Sequence, residues 1–289
     1  MDYMIRAISE NEHIRAFFVT SKELVEKARK VHNTSPNVTA ALGRVLTAAS
    51  MMSFMQKEDD AVLSISIKGD GNIKGITVSA YEKGVVKGFP FVKRLPLLEK
   101  RKGKLDIASC VGKGTMTVIK DLGEGEPYSS QINLVSGEIA EDFTYYFAES
   151  EQVPSAVGLG VLVEKDESVS EAGGFIIQLM PDATEEDIQI IENGLKNFDS
   201  VTDHLKNGGT PYTLLELLLK GANCKVLDKR AVRFSCNCSR DRVGKALLSI
   251  GKKDLYEILS DKKPITLKCE YCNTTYEFKN DEIKELLKY

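Results

Sequence analysis

VLSISIKG (62–69) alternates apolar and polar residues, Gly69-Asp70-Gly71 supplies a turn, and GNIKGITVSA (71–80) follows. Period-two alternation on either side of a glycine-rich turn predicts a β-hairpin with one buried face. TMTVIKD (115–121) and SSQINLVSG (129–137) repeat the pattern around the turn-rich LGEGEPY. AVGLGVLVEK (156–165) and GGFIIQLMP (173–181) form a third pair, whose continuous apolar runs fit a sheet covered on both faces. Between the hairpins stand lone helices. NVTAALGRVLTAASMMSFMQ (37–56) follows Pro36 and is rich in Ala, Leu and Met, and GEIAEDFTYYFAESEQ (137–152) carries Ile139, Phe143, Tyr146 and Phe147 on one stripe. Hairpins interrupted by single helices predict an α+β core over 1–180 rather than a doubly wound sheet.

The pattern changes at Pro181. ATEEDIQIIENGLKNFDSVTDHL places Ile188, Ile191, Leu195, Phe198, Val201 and Leu205 at helical spacing, with acidic residues in the first turn. TPYTLLELLLKG then offers Thr210 as N-cap, Pro211 at the first helical position and Gly221 as terminator. Its leucines 214, 215, 217, 218 and 219 are too apolar to stand in water alone. Residues 181–230 are therefore a helical linker, either packed permanently on the core or a detachable cover over a binding surface.

The whole chain has 289 residues, 42% of them hydrophobic, with 39 basic against 42 acidic side chains. That length predicts one large domain or two unequal ones, and the apolar content excludes global disorder. A net charge of −3, no Trp and 7% aromatics argue against a nucleic-acid coat or a base-stacking surface. The opening MDYMIRAISENEHIRAFF is acidic where a secretion signal is cationic, and the longest apolar stretch, VLTAASMMSFM (45–55), is far short of the roughly 20 residues of a membrane span. The expected location is the cytoplasm, where cysteines serve metal or redox chemistry rather than staples.

Five of the six cysteines lie between 224 and 289. Cys236 and Cys238 form a Cys-x-Cys pair, Cys269 and Cys272 a Cys-x-x-Cys pair, and no histidine lies in that tail. Four thiolates satisfy a tetrahedral Zn2+ at about 2.3 Å. A tail over 231–289 is too small to be comfortably stable alone, so one zinc would serve as its core, at an apparent ~10–16 kcal/mol. Cys-x-Cys is unusual, because a disulfide across one intervening residue is strained and easily reduced. Arg233, Arg240 and Arg242 stand near enough in sequence to help keep the thiolates ionised. Two readings stay open: an ordinary closed zinc site, or one that trades zinc for local disulfides. Cys110 reads as a small core residue, and Cys224 as a junction residue with little redox role.

No P-loop and no G-x-S-x-G elbow occur, and GDGNIKG (69–75) has the wrong glycine spacing for a dinucleotide fingerprint. Glu138, Glu141 and Asp142 sit where acidic residues offset a helix dipole. These absences point away from an enzyme. The tail's net charge of +3, with Arg233, Arg240, Arg242, Lys252 and Lys253, leaves a zinc-ribbon nucleic-acid module as one alternative, tested by salt-dependent binding. A thiol oxidoreductase at Cys269 and Cys272 is another, disfavoured because KPITLKC and TTYEF flank the pair as in a zinc knuckle.

AALGRVLTAASMM (40–52), VGKGTMTVIKDLG (111–123), SGEIAEDFTYYFAESEQVPSAVGLGVLV (136–163), AGGFIIQLMP (172–181) and FSCNCSRDR…CEYCNTTYEF fall in order through nearly the whole chain. With them the sequence resembles the redox-regulated bacterial chaperonins of the thirty-three-kilodalton heat-shock protein family. The resemblance implies an ATP-independent holdase, quiet when reduced and zinc-bound through Cys236, Cys238, Cys269 and Cys272. It implies that oxidation links Cys236–Cys238 and Cys269–Cys272, releases zinc, and unfolds the tail and the linker, uncovering apolar surface. The expected partners are unfolding client proteins, with a homodimer as the candidate oxidised form and no nucleotide, nucleic acid or membrane. Met51, Met52 and Met55 suit an adaptable client surface but fit a buried core better.

Overall fold

The structure is a computed structural model and describes every residue except 57, 59–60, 124, 249–254, 256–258, 260–263 and 287–289. Lys252 and Lys253 fall outside the described residues. The chain divides into two compact units, Met1–Phe234 and Ser235–Tyr289.

In the first unit, β1 (Tyr3–Ile8), β2 (Ile14–Thr20), α1 (Lys22–His32) and α2 (Pro36–Ser53) precede the hairpin expected around Gly69-Asp70-Gly71. That hairpin is β3 (Val62–Gly69) with β4 (Gly75–Glu82), antiparallel, with Ile65 opposite Val78 and Ile67 opposite Ile76. β5 (Val85–Pro90), the short β6 (Glu99–Arg101) and β7 (Lys104–Leu105), and α3 (Ile107–Val111) lead to the second expected hairpin, β8 (Gly114–Asp121) with β9 (Tyr128–Asn133). After α4 (Ala140–Glu149) comes the third, β10 (Ser155–Val163) with β11 (Val169–Leu179). Three helices follow, α5 (Glu185–Lys196), α6 (Val201–Lys206) and α7 (Pro211–Leu218), then β12 (Lys225–Ala231) and β13 (Arg233–Phe234).

Two sheets result. One runs β10-β11-β2-β1-β12, the other β13-β5-β4-β3-β8-β9. All three expected hairpins are present, so the α+β class holds. Residues 225–231, which the sequence suggests as the end of a helical segment, are instead an edge strand paired with β1, Tyr3 opposite Ala231. Their alternation is mostly of charged residues, so only the open edge of β1 makes a strand of them.

α2 is buried on nearly every side and packs on both sheets, which accounts for its apolar, alanine-rich sequence. A Cβ at Gly43 would lie 2.6 Å from Val25 Cγ1 and 2.9 Å from Val161 Cγ2, so glycine permits that close approach. Met51 and Met52 are core residues here, and Met55 packs against the same cluster.

The first sheet is covered on both faces, as the third hairpin's apolar runs imply. Met4, Phe17, Val19 and Ile176 join the cluster around α2. Their neighbours along the strands, Ile5, Phe18, Phe175 and Ile177, join a second cluster with Ile191, Val201, Leu205, Leu214 and Leu218 from α5–α7. The period-two alternation of a strand thus sends consecutive residues into two separate cores. Leu217 alone of the five leucines faces outward, at 41% exposure. The helical periodicity over 184–205 is interrupted between α5 and α6, where Ser200 caps α6 by accepting from the Asp203 amide at 3.0 Å.

α5 is fastened at its start. Asp187, almost fully buried, accepts from Asn11 Nδ2 (2.9 Å), the Thr184 amide (2.8 Å) and the Thr184 hydroxyl (2.8 Å), and pairs with His13 Nδ1 (2.8 Å). Burial pushes its carboxyl up, but these bonds more than offset that and hold it well below the ordinary carboxylate range. A depressed folded-state pKa adds stability that is complete above the unfolded value, about 3.9, and is lost as pH falls through the folded value. Asp187→Asn should therefore lower the melting temperature at neutral pH by a few degrees, at about 2–4 °C per kcal/mol lost. The gap from the parent protein should close as the medium is acidified below the carboxylate range. A gap that stays constant with pH would show that the charge on Asp187 does not fasten α5.

Candidate metal centre

The second unit is built on few elements: α8 (Arg240–Leu248), the hairpin β14 (Ile265–Lys268) with β15 (Thr275–Phe278), and a last helix, Asn280–Leu286. Among its described residues Leu247, Leu255, Phe278 and Ile283 make a small buried cluster.

The loop of the hairpin carries one cysteine pair. The Cys269 amide donates to the Thr274 carbonyl (2.9 Å), while the amides of Cys272 (3.3 Å) and Asn273 (2.7 Å) donate to the Cys269 carbonyl. Asn273 takes a left-handed conformation (φ 59°), which asparagine tolerates better than most residues. This tight turn aims both sulfurs to one side. Cys236 and Cys238 arrive on the extended segment before α8, which starts at a Ser239 whose Oγ accepts from the Arg242 amide at 3.2 Å.

All four sulfurs lie within 4.8 Å of one another and are half-buried. Between the pairs, Cys236 lies 3.8 Å from Cys269 and Cys238 3.3 Å from Cys272. A regular tetrahedron of sulfurs about 2.3 Å from an ion has edges of about 3.8 Å, so donor set and separations fit an ion of zinc's size. The four residues singled out from sequence are thus brought together as one possible metal site.

The sulfurs differ electrostatically. Burial pushes the thiols of Cys236 and Cys269 up. Burial acts on Cys272 too, but the Thr274 hydroxyl, 3.2 Å away, and the Thr274 amide outweigh it with the neighbouring sulfurs and bring the thiol to about 7. The Tyr276 hydroxyl lies 3.1 Å from Cys238 Sγ, and that contact pushes the phenol up to about 12.

Thr274 and Tyr276 place hydroxyls at the sulfurs, whereas the arginines bond elsewhere. Arg240 donates to the Glu277 carbonyl (2.6 Å) and to Glu282 (2.7 Å) and lies 4.6 Å over the Phe278 ring. Arg242 donates to the Asn237 carbonyl at 3.2 Å, and Arg233, in the first unit, reaches Glu82. Sequence reasoning misses the two hydroxyls because neither residue type signals a thiolate partner; only their closeness to Cys272 hinted at it.

The other candidates resolve as structure. Cys110 is fully buried in the main core. Cys224 is partly buried at the rim of the second cluster, where burial raises its thiol to about 11. Asp142 is a buried cap for α4, accepting from the amides of Val135 (2.7 Å), Ser136 (3.1 Å) and Ile139 (3.1 Å). Glu138 pairs with Arg44 at 3.0 Å. Among the described residues no helix is long and apolar enough to cross a membrane.

A two-sheet α+β unit joined in sequence to a small unit organised by four cysteine sulfurs defines the class: an α+β protein with an appended candidate thiolate metal centre. A family model described as Hsp33 protein matches residues 2–279, and the chain belongs to that family, which is one of chaperones rather than enzymes. It is 50% identical to the 33 kDa chaperonin of Agathobacter rectalis over 285 residues, 99% of each chain. It is 48% identical to that of Clostridioides difficile over 288 residues, again 99% of each. The crystal structure of the 33 kDa chaperonin (heat shock protein 33 homolog) of Thermotoga maritima superposes with a TM-score of 0.88 at 33% identity, covering 99% of this chain and 97% of the other.

Proposed function

We propose that this chaperone is an ATP-independent, cytoplasmic holdase whose switch is the four-cysteine centre. In the reduced state Cys236, Cys238, Cys269 and Cys272 hold one Zn2+. When bound, the ion supplies a cross-link that holds the second unit folded. The observation that carries this reading is the convergence of two sequence-local cysteine pairs within 4.8 Å in a unit with little apolar core.

Under oxidation each pair, Cys236–Cys238 and Cys269–Cys272, forms its own disulfide. In each pair two thiolates give two electrons to one peroxide molecule, whose O–O bond breaks, and its two oxygens leave as water with two protons taken up from solvent. The thiolate ligands are thereby consumed and no ligand set remains. The second unit and the helical linker 181–230 then unfold. Removing α5–α7 uncovers Ile5, Phe18, Phe175 and Ile177, and contiguous exposed apolar surface of this kind binds unfolded chains. Reduction restores the thiols and the cover, so no nucleotide is needed.

Zinc content and free thiols, followed through peroxide treatment with mild warming and plotted against suppression of client light scattering, test the reading. One zinc and four thiols should disappear in step with the gain in activity. Equal suppression by the reduced zinc-loaded protein would sink it.

A further inference from the structure

We infer that Tyr276 is a positioning residue of the thiolate centre: its hydroxyl hydrogen-bonds the Cys238 sulfur and restrains that sulfur's reaction with peroxide. The inference rests on the redox switch proposed above and names a side chain, neither ligand nor oxidised, that sets the switch's threshold.

The four sulfurs are not held alike. Cys236 lies against the amide of Cys238, Cys269 against the amides of Tyr271 and Cys272, and Cys272 against the amide and hydroxyl of Thr274. Each of these donors sits within three residues of its sulfur. Cys238 has a partner of another kind: the Tyr276 hydroxyl, 3.1 Å from its sulfur and 38 residues away in sequence. Its placement is firm. Tyr276 lies on β15 opposite Leu267 of β14, and its ring packs against the small core with Phe278.

Thiolate oxidation by peroxide begins with a sulfur lone pair attacking oxygen. An S–O bond forms, the O–O bond breaks, hydroxide leaves and takes a proton to become water, and the sulfur gives up two electrons. A neighbouring thiolate then displaces the new hydroxyl, forming the S–S bond, and the hydroxide leaves and takes a proton from solvent to become water. An O–H···S⁻ bond stabilises the charged sulfur before the attack more than during it, when the charge is leaving. Hydrogen bonds to charged groups are stronger than neutral ones, and partial loss of one along the reaction corresponds to about a 3- to 10-fold effect on rate.

The test uses the full zinc-loaded chain, with peroxide-driven zinc release read by a chromophoric chelator and thiols counted in parallel. Tyr276→Phe, which keeps the ring, should release zinc about 3- to 10-fold faster. Ring-fluorinated tyrosine at 276, a stronger donor, should release it more slowly. In the cobalt-loaded proteins the sulfur-to-metal charge-transfer band should move to lower energy with Phe and to higher energy with fluorotyrosine. Normal release by the parent with unchanged rates and bands in both variants overturns the inference alone. So does a shift of both variants in the same direction, which marks a packing role. A parent chain that keeps its zinc in peroxide overturns the switch, and this inference with it.

Discussion

Exchanging Cys236, Cys238, Cys269 and Cys272 together for serine is expected to unfold residues 235–289, and the linker 181–230 with them, and to leave residues 1–180 folded. The second unit has four fully buried apolar side chains among its described residues, against a main cluster in the first unit that draws on most of its strands and helices. Among its described residues the sheet is one two-stranded hairpin, which is marginal by itself in water. The ion pair of Arg240 with Glu282 is exposed to solvent, which screens it, so it adds little. A thiolate-bound metal supplies an apparent ~10–16 kcal/mol, more than everything else in the unit. Hydrogen exchange resolved by mass spectrometry should show full deuteration of 235–289 in the quadruple variant, and in the parent protein after treatment with a strong chelator. Retained protection there would mean that the small apolar core, not the sulfurs, holds the unit together.

Leu214→Glu is expected to peel α5–α7 from the sheet and give a chain that captures clients without any oxidant. Leu214 is fully buried on α7 against β1 and β2. Truncating a buried leucine already costs about 2–5 kcal/mol, and an unpaired carboxylate in its place adds a desolvation penalty. The cover consists of three short helices, so a loss of that size reaches the whole layer. Leu217→Glu, one helical position away from the buried stripe and 41% exposed, should stay within about 0.5 kcal/mol of the parent. Binding of an apolar dye and suppression of client aggregation, both under reducing conditions, separate the two. Equal behaviour of both variants, or a Leu214→Glu protein that binds neither dye nor client, would refute the idea that this helical layer is the cover.

Much of the architecture was legible because it is local. Each of the three expected hairpins joins strands adjacent in sequence through a turn, so alternation and glycine placement report it directly. The helices over 36–53 and 140–149 were legible from composition and stripe, and Thr210, Pro211 and Gly221 bracket α7 as their backbone preferences dictate. β12 was not legible, since KVLDKRA has no apolar face and becomes a strand only by pairing with β1, more than 200 residues earlier. The hairpin β1–β2 is not legible either, because consecutive buried residues such as Phe17 and Phe18 serve two cores and blur the alternation. In the centre, the ligand residues were legible from type and spacing. The arginines near them in sequence proved to be committed to carbonyls and to Glu282, since a flexible cation goes to the nearest well-aligned acceptor.

The sequence by itself determined the α+β class, the three hairpins, the family, and the four cysteines of the candidate metal centre, because each is encoded by side-chain chemistry at short spacing. Tertiary structure alone decided which strands became neighbours, that one sheet separates two cores, and that Asp187 fastens the covering helices. It alone placed the Tyr276 hydroxyl at Cys238. These depend on contacts between residues tens to hundreds of positions apart, whose pairing is set by the joint packing of the whole unit and leaves no mark on either segment alone.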